Sequence, residues 1–193
     1  GAGVPVGVVL SEGQFYDFTR KRGESAAGQV DLSRALAPLA QRGDFTVREV
    51  RGTLVLQSTT ARVCAEALSG RLPMIEASGA AFAVKGEIAR AANGDPPPSV
   101  PRGLVVGGLH PPRENPRLLV TPVTLMLRDV SVLEALAELV LQVPGLGWAA
   151  REDTVLGGPE RNARRPSCVL ELLDQHGMTS SDVVLRPRRG PTR

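Results

Sequence analysis

The chain has 193 residues, 42% of them hydrophobic and 22% charged, with a formal net charge of +3. That balance fits one medium globular domain or two small ones and excludes a disordered, highly charged chain. Aromatics make up only 3%, so a core must be built from Leu, Val and Ala, while 21 glycines and 16 prolines predict many turns.

All but two of the 23 basic residues are arginine. The basic clusters at Arg20-Lys21-Arg22, Arg161 to Arg165 and Arg186 to Arg189 fall in loop-like or tail contexts without interleaved aromatics. A nucleic-acid face is therefore not expected. No run of 18 apolar residues predicts a membrane-spanning helix. The sequence begins at Gly1 with neither an initiator Met nor a signal-peptide pattern, as in a mature chain, a fragment or a partial reading.

In chain order, Val4 to Leu10 reads as a strand whose Pro5 suits a sheet edge, where a missing N–H costs little. Residues 30–39 read as a helix with Asp31 at its N-cap and a kink at Pro38. Gln41-Arg42-Gly43-Asp44 stops it. An extended segment Phe45 to Glu49 follows, then an Arg51-Gly52 turn and the apolar run Thr53 to Leu56. Ala61 to Leu68 predicts a short helix ended by Gly70. Met74 to Ala77 and Ala81 to Val84 read as strands around Ser78-Gly79, and Glu87 to Ala92 as a helical turn stopped by Asn93-Gly94. Asp95 to Gly103 is a semi-rigid proline linker, and His110 to Pro116 a second loose stretch.

Val123 to Leu127 predicts a strand ending at Arg128-Asp129. Ser131 and Glu134 make a capping-box pattern for a helix with Leu133, Leu136, Leu139, Val140 and Val143 on one face. Pro144-Gly145 stops it before Trp148. Cys168 to Leu173 reads as a further helix, followed by the apolar Val183-Val184-Leu185. The tail from Arg186 to Arg193 is expected to be disordered.

An internal repeat organises this reading. Val30 to Leu39 lies over Val130 to Leu139 with five identities in ten, and Asp31 and Ser131 coincide as N-caps. Both copies continue into a Gly-containing stop, an aromatic-bearing extended segment ending in Arg-Glu, and a short apolar run. The expected fold is α+β, with two strand-helix-strand-strand modules. One occupies residues 1–93 (its weaker repeat at 27–58) and the other 118–185 (its core at 121–157), joined by a Pro/Gly-rich linker at 94–117.

The stretch PVTLMLRDVSVLEALAELVLQVPGLGWAARED resembles the short N-terminal domain of secretins and TonB-dependent receptors. The pattern is an apolar strand, a cap, Glu-Ala-Leu in a short helix, a Gly turn and a hairpin. It covers residues 121–157 and, more weakly, 27–58. The resemblance implies a small interaction module of the bacterial periplasm or cell envelope that meets protein partners or copies of itself. It implies no cofactor, and no channel or receptor barrel is visible in this chain.

Chemical signatures are few. Neither Lys21 nor Lys85 follows a phosphate loop, and Gly1, Gly3 and Gly7 lack GxGxxG spacing and context. No GxSxG elbow exists. Glu12 and Asp17, flanking Phe15 and Tyr16, read as a solvated loop rather than an acid–base pair. His110 sits in a proline loop, and His176 reads as a helix C-terminal residue favourable to the dipole. Two histidines and two distant cysteines make no metal pattern. Cys64 and Cys168 are either buried thiols or, in an exported protein, one disulfide.

The two candidate partner contacts are Trp148 and Phe45. Trp148, the only tryptophan, is read first as a core anchor and second as an interface residue. No catalytic, cofactor-binding or metal-ligating residue is assigned. The sequence thus points to a non-enzymatic protein-interaction protein of the cell envelope. A cytoplasmic enzyme or nucleotide-binding protein of another family is the contrasting reading, and a nucleic-acid-associated protein using its arginines a third.

Overall fold

A computed structural model describes residues 4–12, 15–18, 43–94, 104–106, 120–156, 164–174 and 183–186. It is a mixed α+β fold. Strand β1 (Val6–Leu10) is followed by β2 (Phe15–Phe18), β3 (Phe45–Val50) and β4 (Thr53–Ser58). Helix α1 (Arg62–Ser69), β5 (Arg71–Ala80), helix α2 (Ala81–Asn93) and β6 (Leu104–Val106) come next. The C-terminal half holds β7 (Pro122–Ser131), helix α3 (Val132–Leu141), β8 (Leu146–Leu156), β9 (Arg164–Asp174) and β10 (Val183–Arg186).

Six strands form one sheet in the order β3-β4-β1-β8-β9-β6, while β5 pairs with β7 and β2 with β10 in two-stranded sheets. The apolar segment Val6–Leu10 is buried throughout, as a strand with parallel neighbours on both sides should be. It pairs with β4 on one side and β8 on the other. The edge position expected from Pro5 is therefore corrected: β1 is central. Pro5 precedes the ladder, and its carbonyl accepts from Leu54 N–H at 2.9 Å, so the missing donor is never needed.

Helices α2 and α3 lie between the large sheet and the β5–β7 ribbon, with α2 against β5 and β6 and α3 against β7 and β8, while α1 packs on β8, β9 and α3. One buried cluster runs through this sandwich, from Val9 and Val55 through Leu72, Ile88, Leu125 and Leu136 to Trp148 and Leu170. A second, smaller cluster (Val6, Val8, Leu10, Phe45, Leu54, Leu56) covers the opposite face of the sheet. The alternation within β1 and β4 divides their side chains between the two.

This pairing does not follow the expected division into modules at 1–93 and 118–185. In the large sheet the N-terminal strands β3-β4-β1 continue into the C-terminal pair β8-β9 through the parallel β1–β8 ladder, the ribbon takes one strand from each half, and the main cluster is shared. The expected linker at 94–117 contains β6, which pairs in parallel with β9. The repeat also diverges where it is described. Phe45–Val50 and Thr53–Ser58 are two strands of a hairpin. Their counterpart Leu146–Leu156 is one continuous strand. The first-copy helix expected at 30–39, with Asp31 and Pro38, lies outside the described residues, as do His110, His176 and residues 187–193.

Three further expectations change. Ala81 to Val84 opens helix α2 rather than forming a strand. Ala81, Val84, Lys85, Ile88 and Ala89 are its buried residues, the spacing of one helical face. Cys168 to Leu173 lies in strand β9, paired antiparallel to β8. Arg186, expected in the tail, is the last residue of β10.

Helix α3 forms as expected. Ser131 Oγ accepts from Glu134 N–H at 3.2 Å, and Glu134 Oε2 accepts from Ser131 N–H at 2.7 Å. These bonds hold the Glu134 carboxyl below the usual carboxylate range, with Arg51 and Arg71 adding to the effect. The β3–β4 hairpin turns through Arg51 (φ 47°) and Gly52 (φ 75°), the two positive φ values of a type I′ turn. Arg51 is held there by Glu134 and Glu138 of α3, each at 3.7 Å.

The two cysteines form a disulfide, with Cα atoms 4.9 Å apart and a separation of 104 positions in sequence. It fastens α1 to β9, and both residues are fully buried.

Candidate functional site

The β5–β7 ribbon carries several exposed side chains. It presents an inner face to the helices and an outer face to solvent. Leu72, Ile75 and Ala77 of β5 and Val123, Leu125 and Val130 of β7 are buried. On the outer face Met74 stands opposite Arg128, Glu76 opposite Met126, and Ser78 opposite Thr124. Ser78 Oγ and Thr124 Oγ1 are 3.0 Å apart. Met126 at 71% and Met74 at 54% are among the most exposed large apolar side chains of the described residues.

The inward positions change parity once in each strand. On β5 the switch falls between Leu72 and Ile75, on β7 between Leu127 and Val130. Pro73 and Asp129 (φ 49°) occupy the facing positions of the kink, and Asp is one of the few non-glycine residues that tolerates the left-handed region. Arg71 donates to the Asp129 carboxylate and to its carbonyl oxygen, which fixes the conformation. That hydrogen bond also raises the Arg71 pKa above its usual value.

The long edges of the ribbon differ. On β7 the Gln142 carboxamide, just past α3, lies beside the outer edge. Its Oε1 accepts from Thr124 N–H at 3.1 Å and its Nε2 donates to Thr124 O at 2.8 Å. Both backbone groups of Thr124 therefore point away from β5. By the period of two, Met126 and Arg128 turn theirs outward as well. No other described chain segment pairs with this edge or with the outer edge of β5. In the large sheet β3 is likewise an edge strand, carrying Arg48 and Glu49, the charged residues that protect an edge from unwanted pairing.

The sequence-derived contact residues are placed elsewhere. Trp148 is fully buried in the main core, and Phe45, 9% exposed, belongs to the second cluster. As folded, neither offers a surface to a partner, which corrects that assignment and leaves Trp148 in its first reading as a core anchor. It packs flat on Gly7, its neighbour in β1. Trp148 Nε1 is buried without a hydrogen-bond partner among the described residues.

Two polar groups with no signal in the sequence emerge. Glu152 of β8 accepts from the backbone N–H of Val63 at 2.6 Å and of Cys64 at 3.2 Å. It caps α1 from another element, because Ala61 has no side-chain oxygen for the task. Around it, Ser11, Ser58 and Thr60 link hydroxyls at 3.0 and 3.1 Å, and Thr154 donates to Glu12 at 3.3 Å.

Lys85 of α2 is 7% exposed, and its Nζ donates to Leu170 O at 3.3 Å. Burial lowers its pKa, and Glu171 partly opposes the shift. A folded-state value below the unfolded one (about 10.4) means that charging Lys85 costs stability at neutral pH. That cost is relieved as pH rises through the folded-state value. Lys85→Met should therefore match or exceed wild-type stability by about 1 kcal/mol at pH 7, with the gain shrinking toward alkaline pH. Urea unfolding at several pH values checks this. A loss above about 1 kcal/mol at neutral pH would show instead that the ammonium is stabilised where it sits.

Among the described residues no helix is long and apolar enough to cross a membrane. Compared with known proteins, the chain matches no family model, no curated protein and no solved structure.

Proposed function

We propose that this chain is a protein-interaction module of the bacterial cell envelope, of the kind found at the N-terminus of secretins and TonB-dependent receptors. It meets its partner by strand addition to the β5–β7 ribbon. The observation that carries the reading is the ribbon itself: two ten-residue strands backed by helices, with outward-turned backbone groups along an edge and exposed methionines beside them. Main-chain bonds along such an edge give affinity, and alternate side chains give specificity.

The family pattern supports the assignment. Strand β7, the Ser131–Glu134 capping box, helix α3 and a turn at Gly145 follow one another in its order, while the hairpin expected after them within residues 121–157 is the single strand β8. The disulfide supports an oxidising compartment.

Photo-crosslinking tests the proposal. A photoreactive amino acid at Met126 or Met74 of the full chain, expressed in the envelope of a bacterial host of origin, should trap one defined protein. The same probe at Arg90, an exposed residue of α2, should not. Equal trapping from Arg90, or none from either methionine, would sink the reading.

A further inference from the structure

The Gln142 contact says more about this edge than that it is open. A carboxamide has the same donor and acceptor as a peptide unit. At Thr124 it fills both positions that a neighbouring strand would fill, at ordinary hydrogen-bond lengths. The backbone groups of Met126 and Arg128 face the same way with no such substitute among the bonds described. Met126 is also the most exposed of the large apolar residues described. Val120 (59% exposed), just upstream of β7, is a further exposed apolar residue next to this strand in sequence.

We infer that the outer edge of β7 is a pairing edge for a second copy of this chain, held shut by Gln142. The inference rests on the strand-addition reading and names the edge and its occupant. Antiparallel pairing of two β7 strands about a two-fold axis at Met126 sets Met126 against Met126, and Thr124 against Arg128 of the second copy. No like charges oppose one another in that register, and the two sheets join into a four-stranded one through a self-complementary contact. The outer edge of β5 does not match itself in this way. Its symmetric register about Glu76 opposes two glutamates. The kink at Asp129 ends the pairing segment at the other side.

Each copy must release its own Gln142 to pair, so wild-type association is held weak, and removing the carboxamide exposes Thr124. Sedimentation of the purified full chain tests this without any other protein. Gln142→Ala should tighten self-association at least tenfold, and Gln142→Asn, one methylene too short to span both groups, should act in the same direction. Adding Met126→Lys, which sets two lysines against each other at the axis, should return the Gln142→Ala protein to wild-type behaviour. Hydrogen exchange at Thr124 in the dilute, monomeric Gln142→Ala protein should be faster than in wild type.

If both Gln142 variants sediment as wild type does, the inference is wrong. If they associate but Met126→Lys has no effect, the contact is not at β7 and the inference is equally wrong. Crosslinking to another envelope protein from Met126 beside unchanged sedimentation would overturn the second copy as occupant while leaving the strand-addition reading in place.

Discussion

Trp148→Ala is expected to destabilise the chain by about 3–5 kcal/mol, the range for deleting a large aromatic from a packed core. Gly7→Ala should cost about 1–3 kcal/mol through the same contact. A Cβ at Gly7 would fall inside the indole, against Cζ2 and Cε2 and 2.8 Å from Nε1, and neither sheet strand has room to move because β1 is paired on both sides. The two substitutions touch, so they should not add. With the ring gone, Gly7→Ala should become near neutral or mildly stabilising, since alanine restricts the unfolded chain more than glycine does. Trp148→Phe should cost less than Trp148→Ala, because it keeps most of the ring and removes a buried N–H that has no partner among the described residues. A double-mutant cycle by urea unfolding measures all of this. If Gly7→Ala costs as much in the Trp148→Ala background as in the wild type, the packing account fails.

Replacing Cys64 and Cys168 by alanine is the second large effect, expected at about 2–5 kcal/mol, or roughly 4–20 °C in Tm for a chain of this size. The bridge closes a loop of 104 residues, and constraint of the unfolded chain grows with loop length in the entropic account. It also ties a short helix, capped only by Glu152 from another strand, to the sheet beneath it. Reductant should shift the unfolding midpoint of the wild type by a similar amount and leave the double variant unchanged. Equal midpoints with and without reductant would mean that the bridge contributes nothing.

Local signals in the sequence were accurate where the physics is local. Ser131 and Glu134 sit three residues apart before an apolar run, and the capping box and α3 follow. Gly70 and Gly94 end α1 and α2 as expected, and Arg51-Gly52 makes the hairpin turn. What the sequence concealed is pairing between distant segments. Pro5 suggests an edge when β1 is considered alone, but its neighbours are set by residues 54–57 and 148–151. Cys168 to Leu173 is five apolar residues in six, a run whose periodicity does not separate strand from helix. Ala81 to Val84 is as short, and only its continuation to Ile88 and Ala89 reveals a helical face.

The two-module division drawn from the repeat is the instructive case; the first-copy helix at 30–39 itself lies outside the described residues. Matching N-caps and leucines between residues 30–39 and 130–139 suggested two self-contained modules, whereas the strands of both halves share one sheet and one core. Helix patterns of this kind recur because caps and apolar spacing are generic. At the candidate site Met74 and Met126 were on view as residues but not as neighbours of an open edge. The Gln142–Thr124 contact spans 18 residues and depends on where α3 ends relative to β7, which no spacing rule supplies. Glu152 and Lys85 were invisible for the same reason.

The central place of β1 has a consequence for biosynthesis. Val6–Leu10 emerges from the ribosome among the first segments of this sequence, yet one of its two lateral partners is about 140 residues behind it. Until β8 has been made, a wholly apolar strand has at most one neighbour, and it must wait in that state for seconds at ordinary elongation rates. A parallel pairing between segments this far apart in sequence is intrinsically slow. The final sheet therefore cannot assemble in the order of synthesis. A chain stalled or cut before residue 148 would carry its stickiest segment with one side unfilled, and that intermediate is where chaperones would be needed most.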